Sequence, residues 1–307
     1  MSLRARREEE RQRKLNDELD EEEKRYNAQK ERIYAPVVWR RLGSGIRIQD
    51  LKSNYYDRVL QIIQECYFQE EVLSRNSNFA GDPDSVKSFL DHVLSYLKDR
   101  SSIIGLDEAN EDAIVGFLVL KVMHKNDYSD VFSRVMPVEG DAHKKCVNFL
   151  NYIARKADIY TEYNCEEFLR YVLLCIRPEY RKRGLGLQFY LSAVDVARSL
   201  SIPVVMGIFS SWSQQKLGKK IGMKVSFELY YTAWRDKFNE LAFPEPGQGN
   251  YTCAVMAGFL PPPPVKEPPP VQTDEKQEKL TRPEKRKGKE KKARKELAKQ
   301  LKEKPSS

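Results

Sequence analysis

The sequence predicts an α/β fold in which one mixed sheet is flanked by helices. Three observations point there. Short β-branched and apolar runs alternate with amphipathic helical stretches. Residues 169–187, LRYVLLCIRPEYRKRGLGL, set a strand, a basic turn with glycines and a helix start in succession. Residues too polar to pack gather at the two ends, so a chain of 307 residues with 32% charged residues reads as one domain plus tails.

The elements follow in order. Residues 4–32 hold ten Arg/Lys and ten Asp/Glu, a composition suited to a solvated helix with i,i+4 pairs; 1–34 is therefore a charged helical extension. Leu19, Tyr26 and Ile33 share heptad spacing, too few positions for a coiled coil. A strand is expected over 46–51. Residues 55–67 then carry Val59, Leu60, Ile62, Ile63 and Cys66 at helical spacing. Asp82 and Pro83 start a second helix as N-cap and first-turn residue, with Val86, Phe89, Leu90, Val93, Leu94 and Leu97 as its buried face. Strands over 103–106 and 113–122 flank a turn, a modest helix covers 149–158, and a strand covers 169–176. Beyond the glycine turn come a helix (187–200), a strand (203–208), a helix (211–221) closed by Gly222, a long strand (223–234) and a last strand (251–257). The run PPPPVKEPPP at 261–270 is a polyproline linker, and 271–307 is a basic, low-complexity tail with almost nothing to bury and an expectation of disorder.

Charge and composition narrow the function classes. Residues 265–307 hold 15 Lys/Arg against 8 Asp/Glu, leaving 38 and 37 for the rest, so the net charge of +8 belongs mostly to the tail. The basic tract 285–295 could attract nucleic acid or a nuclear import receptor. Interspersed glutamates and the lack of stacking aromatics favour a solubilising tail instead. Five scattered cysteines without a CxxC pair read as free thiols in a reducing compartment. His92, His124 and His143 have no ligand spacing, so no metal is expected. The N-terminus lacks an apolar signal region, and no apolar run approaches the ~18 residues of a membrane span. The expected location is intracellular: cytoplasmic, with the nucleus open, and no membrane partner.

The 169–187 run carries the chemistry. A strand feeding a glycine turn that opens a helix presents free backbone N–H groups and the positive end of the helix dipole to one point, a ready pyrophosphate site. Arg181, Lys182 and Arg183 add charge beside it, while Gly184 and Gly186 let a phosphate approach the backbone. A dinucleotide fingerprint would need a third glycine where Phe189 stands, and a Walker loop would need Gly-Lys-Ser/Thr. An ordinary basic βα turn is the bland alternative. The remaining pattern, hydrophobic-x-Pro-x-x-Arg-x-x-Gly-x-Gly, is met by Ile176, Pro178, Arg181, Gly184 and Gly186, and it resembles the acyl-CoA pyrophosphate loop of the GNAT superfamily of N-acetyltransferases.

The element order is the one such enzymes use, and three further segments sharpen the likeness. The 157–163 segment ADIYTEY, the 68–73 segment FQEEVL, and the Ser211-Trp212-Ser213 and Lys220-Ile221-Gly222-Met223 groups resemble insect-type arylalkylamine N-acetyltransferases over about 45–258. The resemblance implies a largely antiparallel central sheet, acetyl-CoA as cosubstrate and a small amine as acceptor, with direct transfer in a ternary complex. In that family a glutamate after the first helix is the general base; carried over it is Glu71, with Glu70 beside it. The family's next residue, proline, is Val72 here. A base is chemically required, because an alkylamine is protonated at neutral pH and only its free form attacks a thioester. Two adjacent glutamates at a helix end equally suit a solvated surface pair.

The remaining site residues follow from the same likeness. Leu174, Cys175 and Ile176 would flank the acyl group, and Arg181, Lys182, Arg183, Gly184, Leu185, Gly186 and Leu187 would hold the pyrophosphate. Many GNAT enzymes use a tyrosine as general acid where Leu217-Gly218 stands here, so Ser210, Ser211 and Ser213 are the available hydroxyls; each could equally be a helix cap. Trp212 reads as a buried core aromatic or as an acceptor-pocket wall. A covalent role for Cys175 is disfavoured, since no histidine lies near it in sequence. The alternative to an enzyme is a catalytically weak or inactive acyl-CoA-binding scaffold working through its charged tails.

Overall fold

The computed structural model describes residues 35–125 and 136–260. The expectations for the 1–34 extension, the 261–270 linker and the 271–307 tail fall outside the described residues. An eight-stranded sheet runs in the order β1-β2-β3-β4-β5-β6-β8-β7. The strands are β1 (Val38–Arg41), β2 (Ile46–Asp50), β3 (Ile103–Asp107), β4 (Ala113–His124), β5 (Glu167–Ile176), β6 (Val204–Phe209), β7 (Lys224–Tyr230) and β8 (Thr252–Phe259). Every pairing is antiparallel except β5 with β6, as the resemblance implied.

Helices cover both faces. On one lie α1 (Tyr56–Ile62), α2 (Phe68–Glu70), α3 (Val72–Asn76), α4 (Pro83–Leu97), α5 (Asp141–Ala157) and α6 (Ile159–Glu162); on the other lie α7 (Leu185–Ser199) and α8 (Trp212–Lys220). The first layer buries Val59, Ile62, Phe68, Phe149 and Ile153 against Phe117, Leu173 and Cys175. Its counterpart buries Phe189, Tyr190, Ala193 and Val196 against Leu118, Leu169 and Tyr171. At about 1.5–3 kcal/mol for each large apolar side chain, these two layers hold the sheet between them.

Capping follows the sequence. Asp82 accepts from the Ser85 N–H (3.1 Å) and hydroxyl (2.6 Å), and Pro83 opens α4. The Ala142 N–H also donates to Asp82 (3.1 Å), so one carboxylate ties the starts of α4 and α5. These hydrogen bonds, the Ser85 hydroxyl first, draw the Asp82 carboxyl down to about 2.

Four local expectations need correction. β1 was not anticipated: it is a four-residue edge strand, held by the Trp39 indole N–H and the Val37 N–H, each donating to Asp50 at 2.9 Å. The helix expected over 149–158 begins at Asp141. Its extra turns are polar except for Ala142, Cys146 and Val147, so only tertiary packing reveals their buried side. The strand expected over 223–234 ends at Tyr230, because Tyr231 turns inward and donates its hydroxyl to the Ser210 carbonyl (2.6 Å). On α4, Ser85 and Ser88 are fully buried with Val93 and Leu97, whereas Val86, Phe89, Leu90 and Leu94 are only partly covered.

The five cysteines are free thiols. Among the described residues no helix is long and apolar enough to cross a membrane, and no cluster of His, Cys, Asp and Glu could hold a metal.

Candidate active site

The site originates in one irregular strand pairing. β5 and β6 are bonded only from Leu169↔Val205 to Tyr171↔Gly207, yet β5 continues to Ile176. Beyond Tyr171 the two strands splay, and the β6-facing edge of 173–176 is left without a strand partner. A bulge sits at the same place: β4 pairs Val119 with Leu173 and Leu120 with Tyr171, so Val172 is the extra residue. The bulge shifts the alternation by one. Tyr171 faces the α7 side, Leu173 and Cys175 face the α1 side, and Leu174 and Ile176 return to the α7 side.

A cleft of about 670 Å³ fills the gap. Leu174, Cys175 and Ile176 line it, as do Arg181, Lys182, Gly184, Leu185, Gly186 and Leu187. The turn before α7 is shaped by Lys182 (φ +60°) and Gly184 (φ +76°), both in the left-handed region; Gly184 is the N-cap and has no side chain to cap with. The amides from Lys182 to Gly186 have no hydrogen-bond partner among the described residues. Gly186 is needed for a different reason. A Cβ there would lie 2.9 Å from Leu217, where α7 approaches α8 across the cleft.

Two arginines of the turn are occupied. Arg181 donates from Nε to the Ile176 carbonyl (2.7 Å) and pairs through Nη1 with Glu70. Arg183 does not line the cleft; its guanidinium donates to the Glu179 carbonyl (3.0 Å) and lies 5.3 Å over the Tyr180 ring. Its contribution to the turn is its amide.

The two glutamates part company. Glu70 is exposed and held by Arg181, whereas Glu71 is half-buried in the cleft wall. Glu71 Oε2 accepts from the Ser74 N–H (2.7 Å) and hydroxyl (2.8 Å), which makes it the N-cap of α3. Its Oε1 accepts from the Ser210 hydroxyl (2.6 Å). A π-helical turn, Ile63–Tyr67, and the short α2 carry the chain from α1 into this position.

The three serines separate as well. Ser211 caps α8 by accepting from the Gln214 N–H (3.4 Å), and Ser213 is exposed at the cleft, 3.0 Å from the Ser211 hydroxyl. Ser210 is buried and meets Glu71. Trp212 is not a core aromatic: it is 56% exposed, lies outside the cleft lining, and Lys216 sits 4.9 Å over its ring.

Burial pushes the Cys175 thiol up to about 12, so it is un-ionised at neutral pH. Sequence reasoning passed over Tyr67, Gln214, His143 and Arg170. A second, smaller cavity of about 90 Å³ is lined by all four together with Glu71 and Ser210. Tyr67 belongs to the apolar face of a helical run, Arg170 to a strand, and neither position carries a local pattern that marks it. Burial raises the Tyr67 phenol well above its ordinary value, so it stays protonated.

Comparison with protein-family models and with curated proteins finds no match. Solved structures do match. A protein of the yellow fever mosquito, Aedes aegypti, provisionally assigned as arylalkylamine N-acetyltransferase 7 has TM-score 0.65 and 19% identity over 73% of this chain and 95% of that one. Arylalkylamine N-acetyltransferase 2 of Aedes aegypti has TM-score 0.63 and 19% identity over 70% and 99%. A polyamine N-acetyltransferase of Drosophila melanogaster has TM-score 0.58 and 15% identity over 70% and 100%. The chain has the GNAT fold.

Proposed function

We propose that this GNAT-fold chain is an N-acyltransferase that moves an acetyl group from acetyl-CoA to an amine by direct attack. The observation that carries the reading is the splay of β5 from β6, which gathers unpaired strand edge, free turn amides and the Glu71–Ser210 pair around one cleft. The names of the solved neighbours support an amine acceptor: arylalkylamine acetylation for two and formation of N-acetylagmatine for the third.

In this reading the pyrophosphate of acetyl-CoA rests on the amides from Lys182 to Gly186 at the positive end of α7, with the Lys182 ammonium beside it. Leu174, Ile176, Leu185 and Leu187 cover the pantetheine arm. Amides on the open edge of β5 hold the thioester carbonyl and stabilise the oxyanion that develops on it. Glu71 takes a proton from the ammonium. The free amine then attacks the carbonyl carbon, the C–N bond forms, the C–S bond breaks, and sulfur leaves with the electron pair. Ser210 fixes the Glu71 carboxylate, and the proton that the nitrogen sheds on becoming an amide passes through the Ser213 hydroxyl, which gives its own proton to the departing thiolate and takes up the one from nitrogen. Cys175, held as a thiol, packs against the acyl chain and forms no bond to it.

One observation favours a second reading. Both Glu71 oxygens are already engaged, and one of them caps α3, as a structural carboxylate would be in a scaffold that binds acyl-CoA without turning it over. Titrating the full chain with CoA in a calorimeter, then following thiol release from acetyl-CoA with a panel of amines, separates the two. Saturable binding with amine-dependent release is the expected result. Binding without release favours the scaffold, and no binding overturns both readings.

A further inference from the structure

Arg170 is a charged side chain that the reaction above does not use and that lines a cavity adjoining its site. It lies on β5 one residue before Tyr171, where the pairing with β6 ends. It lines the 90 Å³ cavity that shares Tyr67, Glu71, Ser210 and Gln214 with the coenzyme cleft. It also lines a separate pocket of about 340 Å³, together with Arg155, Asp158 and Phe168.

The guanidinium is half-buried, and its Nε is fully buried without an acceptor. Among the described residues it makes no ion pair; Asp158, in the same pocket, is not within salt-bridge distance. Burying a cationic donor without a partner costs several kcal/mol, so a site that keeps one is shaped to be completed by an anion. The other titratable groups lining the small cavity are neutral at pH 7: burial draws His143 down to about 4, pushes Cys146 up to about 12 and raises Tyr67 and Tyr171 well above their ordinary values. The small cavity thus carries a carboxylate, Glu71, and a guanidinium, Arg170, with neutral walls between them.

We infer that the acceptor is a short aminocarboxylate: its ammonium lies against Glu71 and its carboxylate is gripped by the Arg170 fork, with Arg155 adding positive charge from the wider pocket. The inference rests on the acetyl-transfer reading of the cleft and names its substrate class. Guanidinium and carboxylate match in geometry as well as charge. A polyamine would bring its second cation towards Arg170, and an arylalkylamine would leave that guanidinium unpaired.

The test compares matched acceptors on the full chain: 4-aminobutyrate and β-alanine against butylamine, putrescine and phenethylamine. The wild-type protein should prefer 4-aminobutyrate over butylamine in kcat/KM by about 10–100-fold, the range of one charge-assisted contact. In R170M that ratio should collapse towards one through KM, while R170K keeps part of it. An unchanged CoA affinity in R170M certifies that the variant is folded. Should the wild-type chain prefer butylamine, putrescine or phenethylamine, or should R170M slow all acceptors equally, the inference is overturned while the acetyl-transfer reading stands. If no amine is acetylated, calorimetric titration of the CoA-saturated protein with 4-aminobutyrate decides: binding that R170M weakens by the same factor supports the inference, and absence of binding overturns it. Failure to bind CoA at all would instead remove the coenzyme reading on which it rests.

Discussion

The two ends of the cleft are built from opposite materials. The proposed coenzyme end is main chain: a left-handed Gly184, amides from Lys182 to Gly186 without partners among the described residues, and the open edge of β5, all within one stretch of sequence. The proposed acceptor end is side chain. Glu71, His143, Arg170 and Ser210 come from four distant segments; Glu71 is held by hydrogen bonds from Ser74 and Ser210, His143 by one with Ser88, and the buried Arg170 Nε has no partner. A backbone cradle tolerates many side-chain identities and fixes a ligand common to many enzymes. A side-chain cavity is specific, and each of its members is costly to change.

The largest expected effect falls on the acceptor end. Glu71→Gln keeps an oxygen for the Ser74 N–H and turns its NH2 to the Ser210 hydroxyl, which can accept, but removes the charge, so kcat should drop by about 10²–10⁴, the usual contribution of a positioned base. Glu70→Gln, which loosens only the exposed pair with Arg181, should stay within a few-fold. Stopped-time assays of thiol release compare the two, and equal losses would erase the distinction between the adjacent glutamates.

Acid should expose the same asymmetry. His143 is buried, donates or accepts at the Ser88 hydroxyl (2.9 Å), and has its ordinary value of 6.5 lowered to about 4 by burial, with His92 adding to the effect. Between pH 6.5 and 4 the unfolded chain binds the proton that the folded chain refuses. Stability therefore falls as pH drops through that window, by roughly 2–3 kcal/mol, and His143 causes no further loss below it. Urea unfolding from pH 7 to 4 measures this, and His143→Gln should flatten the profile. An unchanged slope in that variant would assign the acid sensitivity elsewhere.

The smallest effect belongs to the main-chain end. Around Gly184 a Cβ would meet no protein atom within 4 Å, so Gly184→Val acts through its φ of +76° and through the room it takes from a phosphate on the turn. About 1–2 kcal/mol of strain should weaken CoA binding roughly tenfold. Gly184→Asn, which tolerates the left-handed region better, should lose less. Equal losses in calorimetry would mean that the turn's conformation is not what holds the coenzyme.

Legibility follows the same division. The 176–187 turn could be read because strand, proline, arginine and glycines are neighbours in sequence and their geometry is local. Ser210, Ser211 and Ser213 were visible as a group, yet which one caps α8 and which meets Glu71 depends on where α3 lies. The pair Glu70 and Glu71 was equally ambiguous: both line the cleft, but Glu71 is half-buried against Ser210 and caps α3, while Glu70 is exposed and paired with Arg181. Trp212 misled because aromatic residues are usually buried, and here a lysine covers it from the solvent side. The first turns of α5 were missed because a helix whose buried side is Ala142, His143 and Cys146 has no strong apolar period.

By itself the sequence determined the alternation of strands and helices, the glycine turn and the charged ends, since each depends on backbone preferences within a few residues. Only the tertiary structure decided that β5 and β6 splay after Tyr171, that Glu71 meets Ser210 while Glu70 pairs with Arg181, and that Arg170 lines the same small cavity as Glu71. Those outcomes are set by packing between segments as far apart as Glu71 and Ser210, 139 residues along the chain, where the free energy of burial, not local propensity, chooses among conformations that the chain alone would leave nearly equal.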